Sequence, residues 1–132
     1  MEKFGLSAED LQVYVMAEIP SNVILADQFL KIFDGMSIGS NDLTQLALGL
    51  DRDNANLVNI ADERNEAVKE MISQVIAAGK DRGKYVGICG DAPSTFPDFT
   101  AFLVKEGIES ISVSPDVLIK TIINVAKVEK NV

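Results

Sequence analysis

The chain of 132 residues contains no histidine. Histidine is the most common general base, metal ligand and phosphoryl carrier in proteins, so a mechanism confined to this chain has to work without one. Cysteine is nearly absent as well, because Cys89 is the only one. A lone thiol excludes an intrachain disulfide and is typical of a reducing compartment. We therefore expect a cytoplasmic protein.

Basic residues are also scarce, since 12 Lys and Arg stand against 20 Asp and Glu and give a net charge of −8. This balance repels nucleic-acid phosphates and anionic lipids. No apolar run approaches the ~20 residues of a membrane span, and the acidic start of the chain does not resemble a signal peptide. We expect neither nucleic acid nor a membrane as a partner. Length and a hydrophobic content of 47% indicate a single domain over residues 1–132.

Short apolar segments alternate with segments of helical periodicity along the whole chain. The former predict strands at residues 13–19, 36–39, 84–89 and 110–113, and the second strand is expected to open into a loop over residues 40–44. Residues 45–64 are interpreted as a longer irregular excursion. Helices are predicted after an N-cap at Ser21, after an N-cap at Asn65, up to a glycine end at Gly107, and after Ser114-Pro115.

Four strand-helix units in succession predict an α/β fold with parallel strands, right-handed crossovers and helices covering the sheet. A complete TIM-type barrel has eight such units and takes roughly 250 residues, so we expect about half of one. Half a barrel leaves two edge strands unpaired and an apolar inner face open. We therefore expect a homo-oligomer, or docking to the missing half of the barrel.

Two carboxylates follow the first two predicted strands. Glu18 ends the first strand among apolar neighbours, where an ionised carboxylate has to be solvated, paired with a basic residue or bound to metal. Asp42 follows the second strand, although an Asn-Asp pair is also common in turns and helix caps. Because the carboxyl ends of parallel strands converge, the two carboxylates together favour Mg²⁺, which takes six oxygens and seldom a full protein cage.

A thiol and an arginine complete the candidate chemistry. Cys89 ends the third strand, and Gly90 after it would let a ligand approach, although a thiol in such a context is often a small core residue. A free thiol, with a pKa near ~8.5, is mostly protonated at neutral pH, so without an adjacent histidine the Cys89 side chain suits proton donation better than nucleophilic attack. Arg52 follows the second strand and could grip a phosphate, or be a surface arginine beside two aspartates.

Specific motifs run in order from about residue 13 to residue 125: Glu18-Ile19-Pro20-Ser21-Asn22, Phe33-Asp34-Gly35, Ser37-Ile38-Gly39-Ser40-Asn41-Asp42-Leu43-Thr44-Gln45, Gly49-Leu50-Asp51-Arg52-Asp53 and Gly83-Lys84-Tyr85-Val86-Gly87-Ile88-Cys89-Gly90. With them the chain resembles the C-terminal part of phosphoenolpyruvate synthases (pyruvate, water dikinases). It is more distantly similar to pyruvate phosphate dikinases and to enzyme I of the sugar phosphotransferase system.

The resemblance implies the C-terminal half of a (β/α)8 barrel that binds phosphoenolpyruvate (PEP) or pyruvate as its small-molecule substrate. It implies that Glu18 and Asp42 hold Mg²⁺ and that Cys89 exchanges a proton with the methyl or methylene carbon. It also implies that Asn41 and Arg52 contact the substrate phosphate, and Ser40 and Gly39 are expected to bind the substrate as well. Two departures from the family, Asp91 for glutamine and Thr95 for aspartate, change the charge beside Cys89.

The parent reaction implied is ATP + pyruvate + water giving AMP + PEP + phosphate. The resemblance covers neither the nucleotide-binding domain, nor the phosphohistidine domain, nor the first half of the barrel, so we expect this chain alone to be inactive. One alternative is a non-catalytic half-barrel module that self-associates or docks on a synthase. Another, from fold analogy alone, is a small lyase or aldolase using the same enolate chemistry.

Overall fold

The computed structural model describes residues 5, 7, 9–50 and 60–131. None of the helices within these ranges is long and apolar enough to cross a membrane. In chain order, the elements are β1 (Tyr14–Ala17), α1 (Pro20–Ile24), α2 (Ala26–Phe29), β2 (Gly35–Gly39), α3 (Ser40–Leu48), α4 (Glu66–Arg82), β3 (Tyr85–Cys89), α5 (Ala92–Thr95), α6 (Pro97–Glu106), β4 (Ser110–Ile111), a 3-10 turn (Pro115–Val117) and α7 (Leu118–Glu129).

The four strands form one sheet in the order β1-β2-β3-β4, and every neighbouring pair is parallel. Each strand pairs with the next one along the chain, with helical segments in every connection. Strand order that follows chain order is the arrangement of a TIM-type barrel, whereas a doubly wound sheet reverses direction at a switch point. The predicted fold class, half of a TIM-type barrel, is confirmed.

One face of the sheet carries the hydrophobic core. Alternate residues of β2 and β3 point to this face and are at most 2% exposed: Met36, Ile38, Val86 and Ile88. Helix α4 covers them with a stripe of buried residues: Val68, Ile72, Val75 and Ile76. Burial of each such side chain contributes roughly 1.5–3 kcal/mol, so the helical layer and this face stabilise each other.

The opposite, inner face of the sheet is filled by aromatic rings at its amino-terminal end. Tyr14 of β1 and Tyr85 of β3 stack with their ring centroids 4.6 Å apart and their planes 14° apart. Gly35 of β2 lies between them, and a Cβ there would approach Tyr85 O to 2.5 Å and Tyr14 Cδ1 to 3.0 Å. Because Gly35 has no Cβ, both rings can pack over β2. The polar residues of this face lie at its carboxyl-terminal end.

The predicted loop over residues 40–44 is wrong, because these residues form the first turn of α3. Leu43 is fully buried, and Thr44 Oγ1 donates a hydrogen bond of 2.7 Å to the backbone carbonyl of Ser40. The strand therefore ends at Gly39 and the helix begins at the next residue. Burial of Leu43 in the core outweighs the turn preference of the Asn-Asp pair.

Several predicted boundaries also differ. Ile19, not Ser21, is the N-cap of α1, since Pro20 occupies the first helical turn, where its missing N–H costs nothing. The helical segment is interrupted at Leu25. Strand β4 has two residues instead of four, and a 3-10 turn separates Ser114 from α7.

The predicted ends of two helices are confirmed. Asn65 Oδ1 accepts the backbone N–H of Ala67 at 2.9 Å and caps α4. Gly107 ends α6 with a φ of 73°, a left-handed conformation that favours glycine.

Close approach of α4 to β3 gives the first test. A Cβ on Gly79 would collide with Val86 Cγ2 and lie 3.0 Å from Lys84 O. Glycine-to-alanine substitution in a helix usually raises the free energy of unfolding by roughly 0.5–1 kcal/mol. Here the clash with Val86 should reverse the sign of this effect. We expect Gly79→Ala to lower the free energy of unfolding by about 1–3 kcal/mol. Urea unfolding measures it. Ala77→Gly, at an exposed position of α4, calibrates helix propensity at about 1 kcal/mol. A more stable Gly79→Ala would contradict this packing.

Candidate functional site

The carboxyl ends of β1, β2 and β3 form a common rim. The register pairs Ala17 with Ile38 and Gly39 with Cys89, so Glu18, Gly39 and Cys89 lie at the ends of three adjacent strands. A Cβ on Gly39 would lie 2.9 Å from Glu18 Oε2, which places the Glu18 carboxylate directly against the end of β2. The structure thus brings together residues separated by 71 positions in the sequence, from 18 to 89.

Asn22 holds the turn that carries Glu18. Its side chain is 8% exposed, and its Oδ1 accepts the backbone N–H groups of Ile19 at 3.4 Å and of Glu18 at 3.5 Å. A buried amide that accepts backbone hydrogen bonds restricts the path of the chain after β1. The sequence reasoning assigned Asn22 no role.

Cys89 lies on the inner face of the sheet and not in the core beneath the helices. Its side chain is partly exposed, and Sγ lies 3.8 Å from Ser37 Oγ on β2. The backbone carbonyl of Cys89 accepts the Ser40 hydroxyl at 3.2 Å. The alternative interpretation, a small residue buried in the core, disagrees with this position.

Asn41 and Asp91 bridge the segments that follow β2 and β3. Asn41 Nδ2 donates to Asp91 Oδ2 at 3.0 Å, and the backbone N–H of Asp91 donates to Asn41 Oδ1 at 3.3 Å. Thr95 Oγ1 donates to the backbone carbonyl of Asp91 at 3.0 Å. Asp91 and Thr95, which are expected to depart from the family pattern, therefore contact each other, and Asp91 contacts Asn41, a predicted substrate-binding residue.

The N-terminus of α3 lies at the same rim. The first N–H groups of a helix have no intrahelical partner, and together with the helix dipole they favour negative charge. Ser40 is fully buried there, whereas Asp42 is exposed in the first turn. Arg52, the predicted phosphate-binding arginine, lies outside the described residues.

Glu63 is a rim residue that the sequence reasoning missed. Its Oε1 accepts the backbone N–H of Ala92 at 2.9 Å, while Oε2 is buried and has no hydrogen-bond partner within the described ranges. Burial raises the pKa of the Glu63 carboxyl, partly opposed by the nearby Ser40 side chain and the Ala92 N–H. The single hydroxyl hydrogen of Ser40 is directed to Cys89 O. No periodic pattern marks buried positions in the segment before α4, so the sequence carries little signal for Glu63.

The set of side chains that could bind a metal ion at the rim is small. Nowhere in residues 9–50 or 60–131 do three or more His, Cys, Asp or Glu side chains form a group able to hold a metal ion. Glu18 and Asp42 supply two carboxylates from the segments after adjacent strands. Their number and type are those that Mg²⁺ usually takes from a protein, since it binds one or two carboxylates and completes its shell with water and substrate oxygens.

The comparisons with known proteins agree with this architecture. The family model described as "PEP-utilising enzyme, PEP-binding domain" matches residues 1–130. The chain belongs to this family. It is 58% identical to the phosphoenolpyruvate synthase of Aquifex aeolicus over 98% of its length, and 55% identical to that of Escherichia coli over 91%. It spans only 15% of each of these two relatives.

A solved structure shows the same fold at low identity. The HpcH/Hpal aldolase/citrate lyase family protein from Burkholderia cenocepacia J2315 superposes with a TM-score of 0.62 and 24% identity. The match covers 90% of this chain and 42% of that protein. The likeness concerns the fold alone, and its extent agrees with part of a barrel.

Crowding at Gly90 provides a test of the rim geometry. Gly90 has a φ of 151°, and a Cβ there would collide with Ser40 Oγ and lie 3.0 Å from Glu63 Oε2. We expect Gly90→Ala to destabilise the fold by about 2–4 kcal/mol, since backbone strain and a steric clash add. Gly49→Ala is the matched control, because Gly49 also has a positive φ of 63° but open space around it, and should cost only about 1–2 kcal/mol. Equal losses in urea unfolding would show that Gly90 is not crowded.

Proposed function

We propose that this chain is the PEP- and pyruvate-binding segment of a phosphoenolpyruvate synthase, which converts ATP, pyruvate and water to AMP, PEP and phosphate. The observation that carries the proposal is the meeting of Glu18, Gly39 and Cys89 at one rim. A carboxylate that can bind a metal, an open backbone and a thiol that can carry a proton are suited to metal-assisted enolate chemistry. The names of the relatives support the substrate class.

In this proposal Glu18 and Asp42 hold Mg²⁺. A substrate phosphate and the Asp42 carboxylate are both favoured by the N-terminus of α3, yet they repel each other. Glu18 and Asp42 would hold a divalent cation whose positive charge offsets that repulsion. When bound, Mg²⁺ supplies Lewis-acid stabilisation of the negative charge that develops on the enolate oxygen.

The phosphate is bound by Asn41, Arg52 and the backbone at Gly39 and Ser40. Asn41 Nδ2 has two hydrogens and donates one of them to Asp91, so the second can reach a phosphate oxygen without loss of the existing bond. The absence of a side chain at Gly39 lets a ligand approach the start of α3. The planar guanidinium of Arg52 suits bidentate contact with phosphate.

Cys89 handles the proton of the reacting carbon. Toward PEP, the thiolate takes a proton from the methyl carbon of pyruvate, the C–H electron pair moves into the enolate, and the enolate oxygen accepts the phosphoryl group. In reverse, the S–H bond breaks and its proton goes to the methylene carbon as the phosphoryl group leaves. The phosphoryl carrier has to come from elsewhere in the enzyme, because this chain has no histidine.

The remaining units of the barrel are the proposed partner. Helix α7 has no buried residue, and its apolar side chains Leu118, Ile119, Ile122 and Ile123 are 46–68% exposed. Tyr14 and Met16 are exposed at the β1 edge. Apolar exposure at both ends of the sheet supports closure by further (β/α) units of the same enzyme. It equally supports the second candidate function, a non-catalytic module that docks on a synthase. The cytoplasm is the proposed location, because a lone thiol fits a reducing compartment.

The metal proposal predicts Mg²⁺-dependent ligand binding. In a complete synthase carrying this chain, Asp42→Ala should weaken binding of PEP or oxalate by about tenfold or more, because a charged ligand to the cation is lost. Calorimetry with and without Mg²⁺ measures the effect. Asp81→Ala, at an exposed position in the last turn of α4, should leave the affinity unchanged. A folded enzyme with no response to Mg²⁺ and either ligand would favour the non-catalytic module.

The thiol proposal predicts a separation of chemistry from binding. Cys89→Ala should slow exchange of the pyruvate methyl protons with deuterated water by about a hundredfold to ten-thousandfold, the usual contribution of a general acid-base group. Proton NMR follows the exchange. PEP affinity should change by less than about threefold, since the thiol contributes little to ground-state binding. Exchange at the wild-type rate in Cys89→Ala would remove Cys89 from the mechanism.

A further inference from the structure

The segment Asp62–Arg64, just before α4, is anchored to the segment that follows β3. The Arg64 guanidinium lies 3.7 Å from the centroid of the Phe96 ring and is paired with Asp62 at 2.9 Å. It also lies 4.0 Å from the Asp98 carboxylate at the start of α6. These contacts restrain the backbone on one side of Glu63.

From this anchor, the Glu63 side chain reaches the ends of two strands. Its Oε1 accepts the N–H of Ala92, a residue that is 1% exposed. Its Oε2 lies over Gly90, since a Cβ on Gly90 would be 3.0 Å from this oxygen. The same carboxyl group is next to Ser40 at the start of α3. Glu63 therefore bridges the turn after β3 and the junction of β2 with α3.

We propose that Glu63 is a positioning residue, which holds the turn from Cys89 to Ala92 against the start of α3 and so keeps the Cys89 thiol at the rim. The inference rests on the proposed function for its chemical meaning, and it deepens that function by adding a residue that does not touch the substrate. Its role is the bridging contact and not a negative charge, because one carboxyl oxygen is buried with no hydrogen-bond partner within the described ranges.

Loss of the bridge should move the turn without unfolding the core. Removal of the Glu63 side chain leaves the buried Ala92 N–H unpaired, a penalty that the turn can avoid by shifting toward water. Gly90 permits that shift, because glycine has the widest backbone freedom. Ile88 of β3 stays buried under the helices, so the change is confined to the rim.

Three substitutions separate bridging from charge. Glu63→Ala removes the bridge. Glu63→Gln keeps an oxygen for the Ala92 N–H and adds an uncharged donor that Ser40 Oγ can accept. Glu63→Asp keeps the charge but is one methylene too short to span the gap, and it replaces Glu63→Ala as the test if that variant does not fold. Glu66→Ala, at an exposed position three residues away, is the control.

The first measurement is methyl-proton exchange of pyruvate in the complete synthase carrying this chain. We expect Glu63→Ala and Glu63→Asp to slow exchange by about tenfold to a hundredfold, because small displacements of a reacting group are costly. The exchange rate of Glu63→Gln should stay within about threefold of the wild-type rate. If the negative charge of Glu63 were needed, Glu63→Gln would slow exchange as Glu63→Ala does. Equal loss in Glu63→Gln, or no loss in Glu63→Ala, overturns the proposal.

The second measurement does not depend on the proposed function. Alkylation of Cys89 by iodoacetamide, followed by mass spectrometry of the peptide that contains it, reports the position of the thiol with no substrate present. We expect a rate change of about threefold or more in Glu63→Ala and a wild-type rate in Glu63→Gln and Glu66→Ala. If wild type neither binds PEP nor exchanges pyruvate protons, the proposed function fails while this contrast still decides the role of Glu63. Identical alkylation rates in wild type and Glu63→Ala overturn the positioning role.

Discussion

The rim depends on the register between β2 and β3. Because Gly39 pairs with Cys89, the chain leaves both strands at the same height, and the start of α3 meets the turn after β3. Ser40, Asn41 and Glu63 then reach across a short gap to that turn. A slip of one residue in this pairing would point Cys89 at the helices and remove all these contacts, because side chains alternate between the faces of a sheet.

The fold class could be predicted from the sequence because its signals are local and repeated. The apolar runs around Met36 and Val86, the asparagine cap at Asn65 and the glycine end at Gly107 all act within a few residues, and the structure has each of them. The first turn of α3 could not be predicted from such local signals. Its Asn-Asp pair prefers turns in isolation, and burial of Leu43 against the rest of the molecule favours the helix.

The site was predictable in part for a similar reason. The position of Glu18 and Cys89 at one rim could be predicted because strand ends are visible in the sequence and because parallel strands direct their carboxyl ends to one edge. Glu63 was not predicted, since its contact with the Ala92 N–H joins segments 29 residues apart in the chain. The pairing of Asn41 with Asp91 likewise depends on the three-dimensional approach of two turns.

The stacked rings of Tyr14 and Tyr85 across Gly35 have a consequence for the shape of any barrel built on this sheet. They lie at the amino-terminal end of the part of the interior that this sheet contributes, and form an aromatic floor beneath the rim. On this side of the barrel the rings narrow the passage from below, so a small molecule would approach the rim through the carboxyl-terminal mouth.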